Sequence, residues 1–258
     1  MRDSPGIPSS QAVDHFRRDG YCVLPRLCDD ATLHELLDLA NQLARNPEPP
    51  FEYEADTGYP GAPASVDAPG GRTLRRLLGA WARHELFQTQ ARTPAILDVI
   101  AELLGTPLYL SQAHHNCVMF KDRQYGSETG WHQDMRYWRF DRPDLITAWF
   151  ALTDAGPEAG CLYFVPGSHR LNFSPGQFDS EQFFRADLTA NAELLQTATA
   201  VPLAAGDVVL FHSRLLHAAY NNQASQTRTS LIFTYHQGEN RPIPGTRSAA
   251  RPDVCVRV

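Results

Sequence analysis

The chain has 258 residues, 43% of them apolar and 20% charged, which is enough apolar side chain for one large core. A formal charge of −6 without any basic run argues against nucleic acid as a partner and favours a small-molecule substrate. No stretch reaches the roughly eighteen apolar residues that span a bilayer, so no integral membrane segment is expected. The Met1-Arg-Asp-Ser-Pro start lacks an apolar export core, and a soluble, cytoplasmic protein is expected. The cysteines Cys22, Cys28, Cys117, Cys161 and Cys255 are odd in number and contain no Cys-x-x-Cys pair, which predicts buried, reduced thiols.

Taken in order, Ser9-Ser10 cap a short helix that Gly20 closes, and Tyr21 to Pro25 reads as a strand. Asp29-Asp30 cap a second helix, its apolar residues Leu33, Leu36, Leu37, Leu39, Ala40 and Leu43 recurring at helical spacing up to about Asn46. From Pro47 to Gly71 the chain is too rich in proline and glycine for a regular element and reads as a long loop or lid. Helices are predicted at roughly Thr73 to Leu86 and at Pro94 to Leu104, with Gly105 as the stop. After Pro107 short β-rich runs take over: Leu108 to Gln112, His114 to Lys121, Trp131 to Asp134, Leu145 to Leu152, Cys161 to Val165, Val208 to Phe211 and Thr227 to His236. Leu171 to Thr199 interrupts them as a partly helical insertion. The pattern is α+β: a single domain, mainly helical over 1–106, with a jelly-roll (double-stranded β-helix, cupin-like) core over 107–240 and a C-terminal tail at 241–258.

The chemistry-bearing stretch is Thr129-Gly-Trp-His132-Gln-Asp134-Met-Arg-Tyr-Trp138. On an extended strand His132 and Asp134 leave the same face, so an imidazole nitrogen and a carboxylate oxygen can converge on one cation. A second histidine returning on a neighbouring strand would complete a facial triad with open positions on the ion, and His217 is the candidate. Arg228 and Ser230 share a strand face, which suits either an internal salt bridge, the commoner reading of the pair taken alone, or a fork for a bound carboxylate, because guanidinium holds its charge and offers paired N–H donors.

His132-x-Asp134, His217 and Arg228-x-Ser230 together resemble the phytanoyl-CoA dioxygenase (PhyH) family of Fe(II)- and 2-oxoglutarate-dependent oxygenases. The likeness extends to Asp144-Leu-Ile-Thr-Ala-Trp149, Gly160-Cys-Leu-Tyr-Phe-Val-Pro166-Gly-Ser-His169 and Pro202 to Asp207, and spans most of residues 10 to 240. It implies iron ligation by His132, Asp134 and His217, and a 2-oxoglutarate C5 carboxylate on Arg228, assisted by Ser230. Gln112 and Trp149 fall near positions where relatives contact the cosubstrate. The implied activity uses O2 to hydroxylate a small polar or anionic metabolite, such as a sugar, an amino acid or a natural-product intermediate, with release of succinate and CO2. Asp134 argues against halogenation, which requires a small residue there. Arg136, Tyr137 and Trp138 follow the triad and are expected at the pocket mouth, as contacts for a ring and an anionic group. His212 is expected on the face opposite His217; His114 and His115 adjoin a strand and either line the pocket or, the commoner outcome, are packed or surface residues. Two alternatives stay open: a cupin-like metal isomerase or epimerase, and a non-catalytic jelly-roll ligand-binding protein.

Overall fold

The computed structural model describes residues 9–258; the reading of the Met1 to Pro5 start lies outside them. Helix α1 (Ser9–Asp19) buries Ala12, Val13 and Phe16 on one face. It ends at Gly20, whose φ of +85° and close approach to the His169 ring admit no side chain. Strand β1 (Tyr21–Leu24) follows, then α2 (Asp30–Arg45), capped as predicted by Asp29, which accepts a hydrogen bond from the Thr32 amide at 2.7 Å.

The next segment departs from expectation. The breaker-rich stretch contains β2 (Phe51–Tyr53), and the helix predicted from Thr73 is instead strand β3 (Leu74–Leu78) followed by short helices α3 (Ala80–Arg83) and α4 (Glu85–Ala91). Leu74, Leu77 and Leu78 fit a helical spacing, but burial alternates along β3, with Arg75 and Leu77 inward. Pairing decides the outcome, since β2 pairs with β3 at Phe51 and Leu77. Helix α5 (Pro94–Leu104) has the predicted bounds and buries Ile96, Leu97, Val99 and Ile100.

The strands after Pro107 are β4 (Leu108–Leu110), β5 (Cys117–Lys121), β6 (Thr129–His132), β7 (Leu145–Ala151), β8 (Leu162–Phe164) and β9 (Thr199–Val201), the last preceded by α6 (Thr189–Leu195) in the insertion. They continue with β10 (Val208–His212), β11 (His217–Ala219), β12 (Arg228–Gln237) and β13 (Val254–Arg257). The tail is therefore part of the sheet: β13 pairs with β4 and carries Cys255, which is exposed, whereas the other four cysteines are buried and all five are free.

Among the described residues the strands form two sheets, a jelly-roll core with the N-terminal helices packed on it. The larger runs β1-β10-β7-β12-β5-β3-β2, with β4 and β13 attached at β12; the smaller runs β6-β11-β8-β9. Both faces of the large sheet are covered, so its central strands read as continuous apolar runs rather than alternating ones. Along β7, Ile146, Ala148 and Phe150 pack with the helices, while Trp149 and Ala151 face the interior shared with Phe164 and Val201 of the small sheet. No helix among the described residues is long and apolar enough to cross a membrane.

Candidate active site

The site lies between the two sheets. β11 runs antiparallel to β6 with His217 directly opposite His132. Strand β6 ends at His132; Gln133 keeps extended dihedrals, and Asp134 opens a 3-10 turn (Asp134–Arg136), which turns its carboxylate back toward the two rings. His132 Nε2 and His217 Nε2 lie 3.6 and 3.5 Å from the same oxygen, Asp134 Oδ1. All three side chains are buried, their donor atoms lie within 4.8 Å of one another, and they are the one such group found among the described residues.

The donor set fits a divalent ion. His132 Nδ1–H donates to the Gly130 carbonyl at 2.8 Å and His217 Nδ1–H to that of Leu215 at 2.9 Å, which leaves both Nε2 lone pairs facing the carboxylate. Burial, together with the neighbouring His132, pushes His217 down to about 3, so its ring is neutral and able to ligate. Burial alone would raise the Asp134 carboxyl, but the neighbouring imidazoles, His115 first, hold it well below the usual carboxylate range. Its second oxygen accepts from Thr147 Oγ1 at 3.1 Å and lies 3.3 Å from His115 Nδ1, outside hydrogen-bond geometry. Thr147→Val should leave the fold intact and lower iron affinity by roughly 10-fold, since partners that orient a ligand typically contribute 10- to 100-fold. Competition with a chelator measures this, and wild-type affinity would show that the hydroxyl is not needed to aim the carboxylate.

The triad opens on a cavity lined by Trp149 and Arg228 of the large sheet and by Leu162 and Ala219 of the small one. Arg228 is 2% exposed; its guanidinium lies 5.2 Å from the Trp149 ring and donates to the Gly160 carbonyl, while Nε has no partner. Burial, with Arg75 nearby, pushes Arg228 down to about 10, which leaves it cationic at neutral pH. Ser230, though next along that face, does not line the cavity: its hydroxyl is 3.5 Å from the Met119 carbonyl. Gln112 falls beyond the end of β4 and donates to Pro252 O at 2.6 Å, tying down the C-terminal segment rather than reaching the site.

The residues after the triad divide. Tyr137 lines the cavity and pairs with the Tyr59 hydroxyl at 2.7 Å. Arg136 lies over the Phe183 ring at 3.8 Å and lines an adjoining cavity. Trp138 is fully buried against Phe140 and Leu145, because the turn after Asp134 aims it into the core instead of the mouth. His212 ends β10 of the large sheet and His217 begins β11 of the small one, so they are parted by a change of sheet rather than by opposite faces of one strand.

Both long insertions reach the site. Tyr59, from the first, makes an edge contact with Phe183, from the second, and Phe183 bridges to His132. The buried pair Glu54–Arg75 (3.1 Å), joined by Ser127 and Thr129, pins the first insertion to the start of β6. None of these residues is marked by local sequence. His115 and Lys121, also in the cavity, look in sequence like ordinary polar residues of a strand.

A jelly-roll carrying two histidines and a carboxylate on one face, beside a buried cation, is the architecture of the non-haem iron oxygenases. The chain belongs to the phytanoyl-CoA dioxygenase (PhyH) family, whose model matches residues 16–230. It is similar to L-proline trans-4-hydroxylase of Streptomyces griseoviridis, 26% identical, over 95% of this chain and 92% of that protein. Ectoine dioxygenase of Stutzerimonas stutzeri is 25% identical over 90% of this chain and 78% of that one. Among solved structures, EctD from S. alaskensis with 2-oxoglutarate and 5-hydroxyectoine superposes with a TM-score of 0.77 at 25% identity, covering 100% of this chain and 89% of that. The epimerase SnoN with Fe3+, alpha ketoglutarate and nogalamycin RO gives 0.72 at 26%, covering 92% and 91%. The protein is a 2-oxoglutarate-dependent non-haem iron dioxygenase, with Fe(II), 2-oxoglutarate and O2 as its cofactor and cosubstrates.

Proposed function

We propose that His132, Asp134 and His217 hold the iron, that Arg228 takes the C5 carboxylate of 2-oxoglutarate against Trp149, and that the enzyme hydroxylates a small metabolite bearing a carboxylate, an amino acid above all. The observation that carries this is the cross-strand pairing of His217 with His132, both Nε2 atoms facing one oxygen of Asp134 in the cavity that also holds Arg228. With iron and 2-oxoglutarate bound, O2 would be the oxidant: one oxygen atom would turn a substrate C–H into C–OH and the other would enter the succinate formed with CO2 from the keto acid.

The chain's own residues bind, orient and exclude water. The Gly130 and Leu215 carbonyls fix both ring orientations, and Thr147 aims the carboxylate. Tyr59, Tyr137 and Phe183 wall the iron side off from solvent. The adjoining cavity shares Tyr59, Arg76, His115 and Tyr137 with the first and adds Arg136, Arg247, Glu52 and Asp56. Arg76 is neutralised by Glu52 at 2.8 Å, whereas Arg136 Nη1 is buried without a partner. Burial and Arg247 push His114, also in that cavity, down to about 3, so it adds no charge there. Two unengaged cations beside one carboxylate suit a substrate carboxylate with a cationic nitrogen near it, and relatives named for proline and ectoine support that class.

Incubation with Fe(II), 2-oxoglutarate, O2 and an amino-acid panel, following succinate and hydroxylated product together, tests the reading. Succinate release separates it from a metal isomerase that does not consume the keto acid, and from a binding protein without turnover. Arg136→Ala should raise the substrate KM by about 10-fold or more, the loss expected for one hydrogen bond to a charged group. An unchanged KM would move the anion contact elsewhere.

A further inference from the structure

We propose that Lys121 is a second anchor for the cosubstrate: its ammonium and the Arg228 guanidinium form a two-cation seat for the C5 carboxylate of 2-oxoglutarate. This rests on the cosubstrate reading of the cavity given above. Lys121 on β5 stands directly opposite Arg228 on β12, so the two side chains leave one face of the large sheet as cross-strand neighbours. Both are 2% exposed and both line the cavity.

Like charges set opposite each other destabilise a sheet, and burial removes the water that would screen them. Neither cation has an ion-pair partner among the described residues. Of the nearby carboxylates, Glu54 is engaged with Arg75 and Ser127 and Asp134 lies among the imidazoles, while Glu128 acts on Lys121 only from a distance, without an ion pair. Lys121 Nζ donates to the Ala219 carbonyl at 2.9 Å and to that of Tyr220, which leaves its third N–H uncommitted. Arg228 spends one donor on Gly160 O and has a buried, partnerless Nε. Burial and the adjacent Arg228 together push the Lys121 ammonium well below its usual range, a pressure that an anion at the pair reverses. A dicarboxylate keto acid brings that anion on the carbon chain opposite its chelating end. The seat therefore makes the second negative charge of the cosubstrate a condition of tight binding.

The competing role for Lys121 is structural, as a clamp on the Ala219 and Tyr220 carbonyls. Lys121→Gln removes the charge but keeps an N–H donor; Lys121→Met removes both. The test titrates wild type and both variants, iron-loaded and anaerobic, with 2-oxoglutarate and with pyruvate, following the metal-to-ligand charge-transfer band. Pyruvate presents the same chelating carboxylate and keto oxygen but no C5 carboxylate. Both variants should bind 2-oxoglutarate about 30-fold more weakly, the loss of a charge-assisted hydrogen bond, while pyruvate affinity stays within about 2-fold. Equal weakening for both keto acids, or recovery of 2-oxoglutarate affinity in Lys121→Gln, would make the lysine a clamp and overturn the proposal. Arg228→Met separates the two levels of inference. Weakened 2-oxoglutarate binding in Arg228→Met with wild-type binding in Lys121→Gln sinks only the second anchor, and wild-type binding in Arg228→Met sinks the cosubstrate reading itself. Should Lys121→Met fail to fold, circular dichroism shows it and Lys121→Gln carries the comparison.

Discussion

His217→Ala should lower Fe(II) affinity by more than about 100-fold and abolish succinate formation, because loss of a ligand exceeds the 10- to 100-fold cost of losing a partner that merely orients one. His217 enters from the small sheet through β11, and its ring nitrogen and that of His132 face Asp134 Oδ1 across the site. Without it His132 and Asp134 offer two donors, and an octahedral ion is left with a half-empty protein face. The readout is Fe(II) titration under nitrogen together with turnover in air. His217→Gln guards against a folding artefact, since it fills the volume while replacing the imidazole with a poor ligand. An iron affinity equal to wild type in both variants would remove His217 from the triad and, with it, the meaning of its pairing with His132.

Arg228→Met should leave iron binding intact and weaken 2-oxoglutarate by between about 30-fold and several thousand-fold, the range for truncating one partner of a buried charge pair at about 2 to 5 kcal/mol. The guanidinium is almost wholly buried, so solvent cannot take over the carboxylate. Arg228→Lys should recover part of the loss only, because a point charge replaces a planar fork and the packing against Trp149 is given up. Equilibrium titration of the charge-transfer band gives the affinities, and a separate iron titration without keto acid confirms that the metal site is untouched. A weakened iron site in Arg228→Met would mean that the arginine supports the triad rather than the cosubstrate.

Much of the site was legible because its signals are local. The two-residue spacing of His132 and Asp134 marked the pair, although the strand ends at His132 and it is the 3-10 turn opening at Asp134 that brings the carboxylate to the rings. Arg228 fell in a run whose composition marks it as a strand. The ends of α2 and α5 were equally readable: Asp29 accepts from an amide within its own first turn, and Gly105 closes α5 with its amide on the Ala101 carbonyl. Loop length marked both long segments, but nothing local shows that Tyr59 and Phe183 would meet beside His132.

The sequence by itself determined the residue types and spacing of the candidate triad, the ends of α2 and α5 and the strand-rich character of the second half. Tertiary structure alone decided three things. It made Leu74–Leu78 a strand, although the same leucines fit a helix, because β2 and β5 offer it partners on both edges. It sent Trp138 into the core, because the 3-10 turn at Asp134 reverses the direction in which the following side chains leave the chain. It set Lys121 against Arg228, because the register of β5 on β12 is fixed by which faces of the whole sheet are buried. Periodicity and capping are contests between chain neighbours and leave their trace in a few consecutive residues. Register, burial of charge and the meeting of loops depend on groups far apart along the chain, whose contacts exist only once the two sheets have closed on each other.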